Sequence, residues 1–147
     1  MNTMLFGLTL AVAAPNLKDP PKTLPTIVGE WEVESLTTNG MLSNTTPGLI
    51  YTFTTDGKWL IHRDGQVIGA TTNRGFTMDQ KTNPPSVDLV SNSKAANTLR
   101  LVGIFKIEKD TLTICGTRQQ GAERPTKFES TEGSQITMYV LKRVKKD

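Results

Sequence analysis

The chain has 147 residues, 36% of them hydrophobic and 21% charged, a length that suits one domain with a core of its own. Its 17 Lys and Arg against 14 Asp and Glu give a formal charge of +3, with both signs scattered along the sequence. The one basic cluster, at 142–146, lacks interleaved aromatics and reads as a solvated terminus, so nucleic acid is not an expected partner.

Residues 4–14 form an uncharged apolar run that ends in small residues, with Ala11-Val12-Ala13 in the small-x-small spacing of a cleavage site. The run is too short to span a bilayer and has the length of a signal-peptide core, so residues 1–13 are expected to be a leader and the protein to be exported, without a transmembrane segment. No Lys or Arg precedes the run, and a strand or short helix of the fold is the other reading. Pro15, Pro20, Pro21 and Pro25 follow, and at that density they fix φ and remove backbone donors, which makes 14–26 an extended linker. The folded domain is expected over 27–147.

Gly29-Glu30-Trp31-Glu32-Val33-Glu34-Ser35-Leu36 alternates acid with apolar or small residues, the period of a half-buried strand. Thr37-Thr38-Asn39-Gly40 signals a turn, and a longer loop runs on through Pro47-Gly48. Strands are predicted over 49–54 and 58–63 with a hairpin turn at Asp56-Gly57, and Asp64-Gly65 turns the chain again into 66–71. Residues 72–78 either continue that strand past the Asn73-Arg74-Gly75 interruption or form a separate one, with Phe76 as the core residue. Asn83-Pro84-Pro85 stops it, and 86–90 is a short strand. Residues 91–97 are polar and too short for a stable helix, hence loop. The strand at 99–107 puts Leu99, Leu101, Phe105 and Ile107 on one face, with Gly103 marking a bend or bulge. Strands at 111–115 and 135–143 complete the set, separated by the polar segment 116–133.

About eight strands, mostly joined by short turns and with no convincing amphipathic helix, predict an all-β domain, an antiparallel up-and-down barrel, with a two-sheet sandwich as the alternative. In a barrel the last strand can pair with the first and remove an exposed edge.

Gly29-x-Trp31 at the start of the first strand, with Arg143 or Lys142 near the end of the last, resembles the signature of the lipocalins and wider calycins. There the cation packs across the tryptophan at the closed end of the barrel. The order Gly29-x-Trp31, Gly103-Ile104-Phe105, Asp110-Thr111-Leu112-Thr113-Ile114-Cys115, Glu123-Arg124-Pro125-Thr126-x-Phe128 and Leu141-Lys142-Arg143 resembles, over nearly the whole domain, an uncharacterised family abundant in planctomycete bacteria. Its members typically carry an export signal and occur as many paralogues. The resemblance implies fold and export and brings no catalytic residues with it.

Each chemistry-bearing residue has a plain alternative. His62 is the only histidine, too few for a multi-histidine metal site, and its neighbours Trp59 and Ile61 take the opposite face. It reads as a solvent-facing strand residue and not a haem ligand, so no metal or cofactor is expected. Cys115, the only cysteine, rules out an intrachain disulfide and reads as a packed thiol, although Arg118 and Arg124 follow in the loop and a nearby cation is what a reactive thiolate needs. Arg124 either forks onto a carboxylate or phosphate at the barrel mouth or pins its loop to the barrel, with Pro125 fixing the turn and Phe128 plugging the core. Glu30, Glu32 and Glu34 form an outward row, whereas paired acid catalysis needs carboxylates facing each other across a cleft.

These readings favour a monomeric binding module and not an enzyme. Val33, Tyr51, Phe53, Leu101 and Phe105, with Arg124, are the expected contacts to a small apolar or amphipathic ligand. Gly29, Trp31 and Arg143 carry the architecture. The alternative is a structural or interaction protein whose interior is filled by the same side chains, because a barrel of about eight strands can be either.

Overall fold

The computed structural model describes residues 26–43, 47–68, 74–93 and 96–146. Residues 1–25, which hold the expected leader and all but the last residue of the linker, lie outside that set. Among the described residues every regular element is a strand, and no helix is long and apolar enough to cross a membrane.

The ten strands are β1 (Gly29–Thr38), β2 (Met41–Ser43), β3 (Leu49–Phe53), β4 (Trp59–Arg63), β5 (Gln66–Val67), β6 (Arg74–Asp79), β7 (Ser86–Ser93), β8 (Ala96–Glu108), β9 (Thr111–Thr117) and β10 (Ile136–Arg143). They form one antiparallel sheet in the order β5-β4-β3-β1-β10-β9-β8-β7-β6, with β2 paired on β1. Setting aside the short β2 and β5, eight strands follow one another around a curled sheet. The last pairs with the first, Trp31 opposite Arg143 and Val33 opposite Leu141. The sheet curls back on itself without sealing. Between the two ends of the strand order, one isolated bridge joins Lys58 to Gly75, beside a 2.8 Å hydrogen bond from Phe76 N to the Gly57 carbonyl. The result is a partly open, barrel-like all-β fold.

Local chemistry sets this geometry. Asp64 and Gly65 both take left-handed φ, 51° and 76°, the conformation a two-residue hairpin turn requires and one that Asp and Gly tolerate best. Gly103 faces Gly116 across β8 and β9; a Cβ on Gly103 would lie 2.6 Å from the Cys115 carbonyl oxygen, so only paired glycines let the two strands approach this closely. The expected loop at 91–97 is instead the end of one strand and the start of the next, since β7 reaches Ser93 and β8 begins at Ala96. Pairing with a long neighbour carries a polar sequence into the ladder.

The core holds Ile27, Trp31, Val33, Tyr51, Phe53, Trp59, Phe76, Val87, Leu89, Leu101, Phe105, Leu112, Ile114, Tyr139 and Leu141 in one cluster. Along β1 the inward row Trp31 and Val33 is broken by a bulge between Val33 and Ser35, after which Leu36 stands opposite Tyr139 and packs on the core. Strict alternation would leave Leu36 outside with the glutamates; the extra residue, Glu34, flips the phase.

A second packing layer covers the outside of β8 and β9. Ile104 and Cys115 stand opposite each other with 1% and 0% exposure, although their neighbours Phe105 and Ile114 already face the interior. The loop at 118–135 covers them. The Cys115 thiol lies 3.5 Å from the carbonyl oxygens of both Lys127 and Glu129. Phe128, expected to plug the core, is half-buried on this outer face under Lys106, whose Nζ is 5.0 Å from the ring centroid. Arg124 ties the loop down. Its Nη1 donates to Asp88 Oδ1 at 2.7 Å and to the Gly103 carbonyl at 2.7 Å.

Candidate functional site

One end of the curled sheet is closed. There the indole of Trp31 is fully buried, its Nε1 donates to the Ile27 carbonyl at 2.8 Å, and the Arg143 guanidinium lies 4.2 Å from the ring centroid. Gly29, at φ +136°, leaves space that Arg143 occupies; a Cβ there would sit 3.2 Å from Nη1. Arg143 is further tied to the hairpin between β8 and β9, its N–H donating to the Asp110 carbonyl at 2.8 Å. A cation on an indole face contributes roughly 0.5–2 kcal/mol, and here it joins first strand to last.

The opposite end is the candidate site. Three inward rows change chemistry as they reach it. Phe76 is preceded at the start of β6 by Arg74, Val87 and Leu89 on β7 are followed by Ser91, and Leu112, Ile114 and Gly116 on β9 are followed, one residue past the strand, by Arg118. With Trp59, Ile61, Leu89 and Leu101 as the floor, these three polar side chains surround a pocket of about 140 Å³.

The two arginines are held by neutral groups. The Arg74 guanidinium lies 5.1 Å from the Trp59 ring centroid and donates from Nη1 to the Ile68 carbonyl at 3.1 Å. Arg118 donates from Nη2 to the Tyr139 hydroxyl at 3.1 Å. Neither forms an ion pair among the described residues. Trp59 is itself anchored across the open seam, its Nε1 donating to the Val90 carbonyl at 3.1 Å. Tyr51 packs between Trp59 and Tyr139, with ring centroids 5.8 and 6.0 Å away. Burial pushes the Tyr51 phenol far above its ordinary value and Tyr139 adds to the rise, while the charges of Arg118 and Arg74 pull the other way. Both guanidiniums therefore act on the same interior.

Of the residues expected to contact a ligand, only Leu101 lines this pocket. Val33, Tyr51, Phe53 and Phe105 fill the interior as members of the packed core. Arg124 lies on the outer face, where Asp88 neutralises it, and not at the mouth. His62 points outward, as the alternation indicates, but its Nε2 is covered and has no hydrogen-bond partner, so it is not freely solvated. Of the outward glutamates, Glu34 pairs with Lys142 at 3.4 Å and Glu32 accepts from the Gly48 N–H at 3.4 Å. No group of three or more His, Cys, Asp and Glu is placed to hold a metal among the described residues. Trp59, Ile61, Arg74, Leu89 and Ser91 are not among the expected site residues, and Arg118, considered only as a cation beside Cys115, lines the pocket. The signal for the polar three was period two carried past the last large apolar residue of each row.

Burial raises the Cys115 thiol above its ordinary value, with the Glu129 charge also raising it and a hydrogen bond at Glu129 only partly opposing. A thiol reagent at pH 8 is expected to label native Cys115 about a hundredfold more slowly than the unfolded chain. Fast stoichiometric labelling would mean that the 118–135 loop does not cover it.

Searches with the chain find no matching family model, no matching curated protein and no matching solved structure.

Proposed function

We propose that this chain is an exported, lipocalin-like binding protein that holds a small amphipathic ligand at the open end of its barrel. The observation that carries the reading is the pocket between β4, β6, β7 and β8, with an apolar floor and a polar rim. Pockets of this composition, few and concave, are the usual places for small-molecule recognition. The Gly29, Trp31 and Arg143 arrangement supports the lipocalin-like part, and the apolar run at 4–14 supports export. The side chains around the pocket supply positive charge, a hydroxyl and apolar surface, which suit holding a molecule more than transforming it.

The competing reading, a filled barrel that acts through its surface, has the packed interior below the mouth in its favour. The two part over the pocket. Native mass spectrometry of the protein purified from its own host is expected to show a co-purifying small molecule, lost in Ser91→Phe, whose ring would occupy the mouth. An unliganded mass under several gentle conditions would favour the filled barrel.

A further inference from the structure

We infer that the ligand is a small organic monocarboxylate, an anion about the size of a single ring, gripped by Arg74 and Arg118; this rests on the binding reading above. Two like charges line one small pocket, and among the described residues no Asp or Glu lines it with them. The protein balances the half-buried guanidiniums of Arg124 and Arg143 differently. Arg124 meets Asp88 at 2.7 Å, and Arg143 has an indole face with Asp110 at 3.9 Å. At the mouth each arginine spends a donor on a neutral oxygen, which fixes its position and leaves the rest of its five N–H groups to a partner from outside. A carboxylate between them gains charge-assisted, forked hydrogen bonds in a site partly screened from water.

Size and floor narrow the class. An apolar cavity of about 150 Å³ takes a benzene-sized molecule, and the pocket here measures about 140 Å³. Trp59, Ile61, Leu89 and Leu101 offer that molecule a ring face and branched aliphatic surface, which inorganic phosphate cannot use. Ser91 adds one hydroxyl for the second carboxylate oxygen. The ligand so described has its charge at the rim and its apolar body on the floor.

Isothermal titration of the full chain with benzoate, benzyl alcohol and inorganic phosphate tests this. Benzoate is expected to bind about tenfold or more tightly than either of the others. Arg118→Gln and Arg74→Gln are each expected to weaken benzoate about tenfold while leaving benzyl alcohol unchanged. Arg118 is exposed, so its variant should fold normally, and an unchanged far-UV spectrum and melting temperature would establish that. Ser91→Phe should abolish binding with both arginines in place. Equal binding of benzoate and benzyl alcohol, indifferent to the arginine variants, would overturn the carboxylate assignment and leave the binding reading standing. Phosphate equal to benzoate and unaffected by Ser91→Phe would reduce the site to a basic surface and overturn the assignment. No heat with any of the three would also overturn it, and native mass spectrometry would then decide separately whether some other ligand is held.

Discussion

Trp31→Ala is expected to lower the unfolding free energy by about 3–5 kcal/mol, the usual cost of removing a large aromatic from a core. The indole has no exposed surface, so the transfer and cavity contributions both apply in full. Two further losses follow from its neighbours. The Ile27 carbonyl loses its donor, and Arg143 loses the ring face that holds it 4.2 Å from the centroid. Since folded domains are stable by only about 5–15 kcal/mol, this one change should leave the protein close to unfolding. Urea melts of the wild type, Trp31→Ala and Trp31→Phe would measure it, with Trp31→Phe recovering most of the loss and leaving the cost of one unpaired buried carbonyl. A loss under about 1 kcal/mol for the alanine variant would contradict Trp31 as the closing plug of the barrel.

The second large effect is expected at Asp88, on the opposite side of the sheet from the interior. Its carboxylate takes Arg100 at 2.6 Å and Arg124 at 2.7 Å, and its side chain is only 13% exposed. Asp88→Asn should cost about 1.5–3 kcal/mol at pH 7, less than a wholly buried pair because both arginines reach water. Burial by itself would raise this carboxyl, but the hydrogen bonds from Arg124 and Arg100, and then their charges, outweigh it and hold the group below the ordinary carboxylate value. A depressed folded value means that the stabilisation is complete above the unfolded pKa, near about 4, and is lost as pH falls through the lower folded one. The gap between wild type and Asp88→Asn in urea melts should therefore be constant from about pH 7 to 5 and narrow below about pH 4. A gap that persists undiminished to about pH 2 would mean that the stabilisation comes from shape and not charge.

These residues also show what a linear reading can reach. Period-two alternation with Asp64-Gly65 as a turn was enough for the meander. Gly29 and Trp31 could be connected with Arg143, far along the chain, because the resemblance pairs them, and a barrel that joins its first and last strands gives that pairing a physical reason. The outer layer was hidden for a physical reason. A strand with one wet face should show polar residues there, and Thr111, Thr113 and Cys115 look like that face until Ile104, out of phase on the neighbouring strand, is set beside them. The bulge at Glu34 leaves no mark in composition, because a register shift is decided by both strands of a pair. The mouth is hard to read from the sequence because large apolar side chains mark the interior, while the rim of this pocket begins where those side chains stop. Arg74 stands two residues before Phe76, and Arg118 two after Gly116, on the inward phase in both cases.

The seam between β4 and β6 has a bearing on all of this. In a fully hydrogen-bonded barrel the number of strands and their stagger fix the girth, and widening it anywhere means breaking a whole ladder. Here the described backbone across the seam is held by the Lys58 and Gly75 bridge with its neighbouring hydrogen bond, and by the Trp59 indole reaching the Val90 carbonyl. The molecule is a split ring with an aromatic clasp. The clasp stands at the floor of the mouth pocket, so any widening of the bore there would have to begin by loosening Trp59, at the far end of the sheet from Trp31 and Arg143.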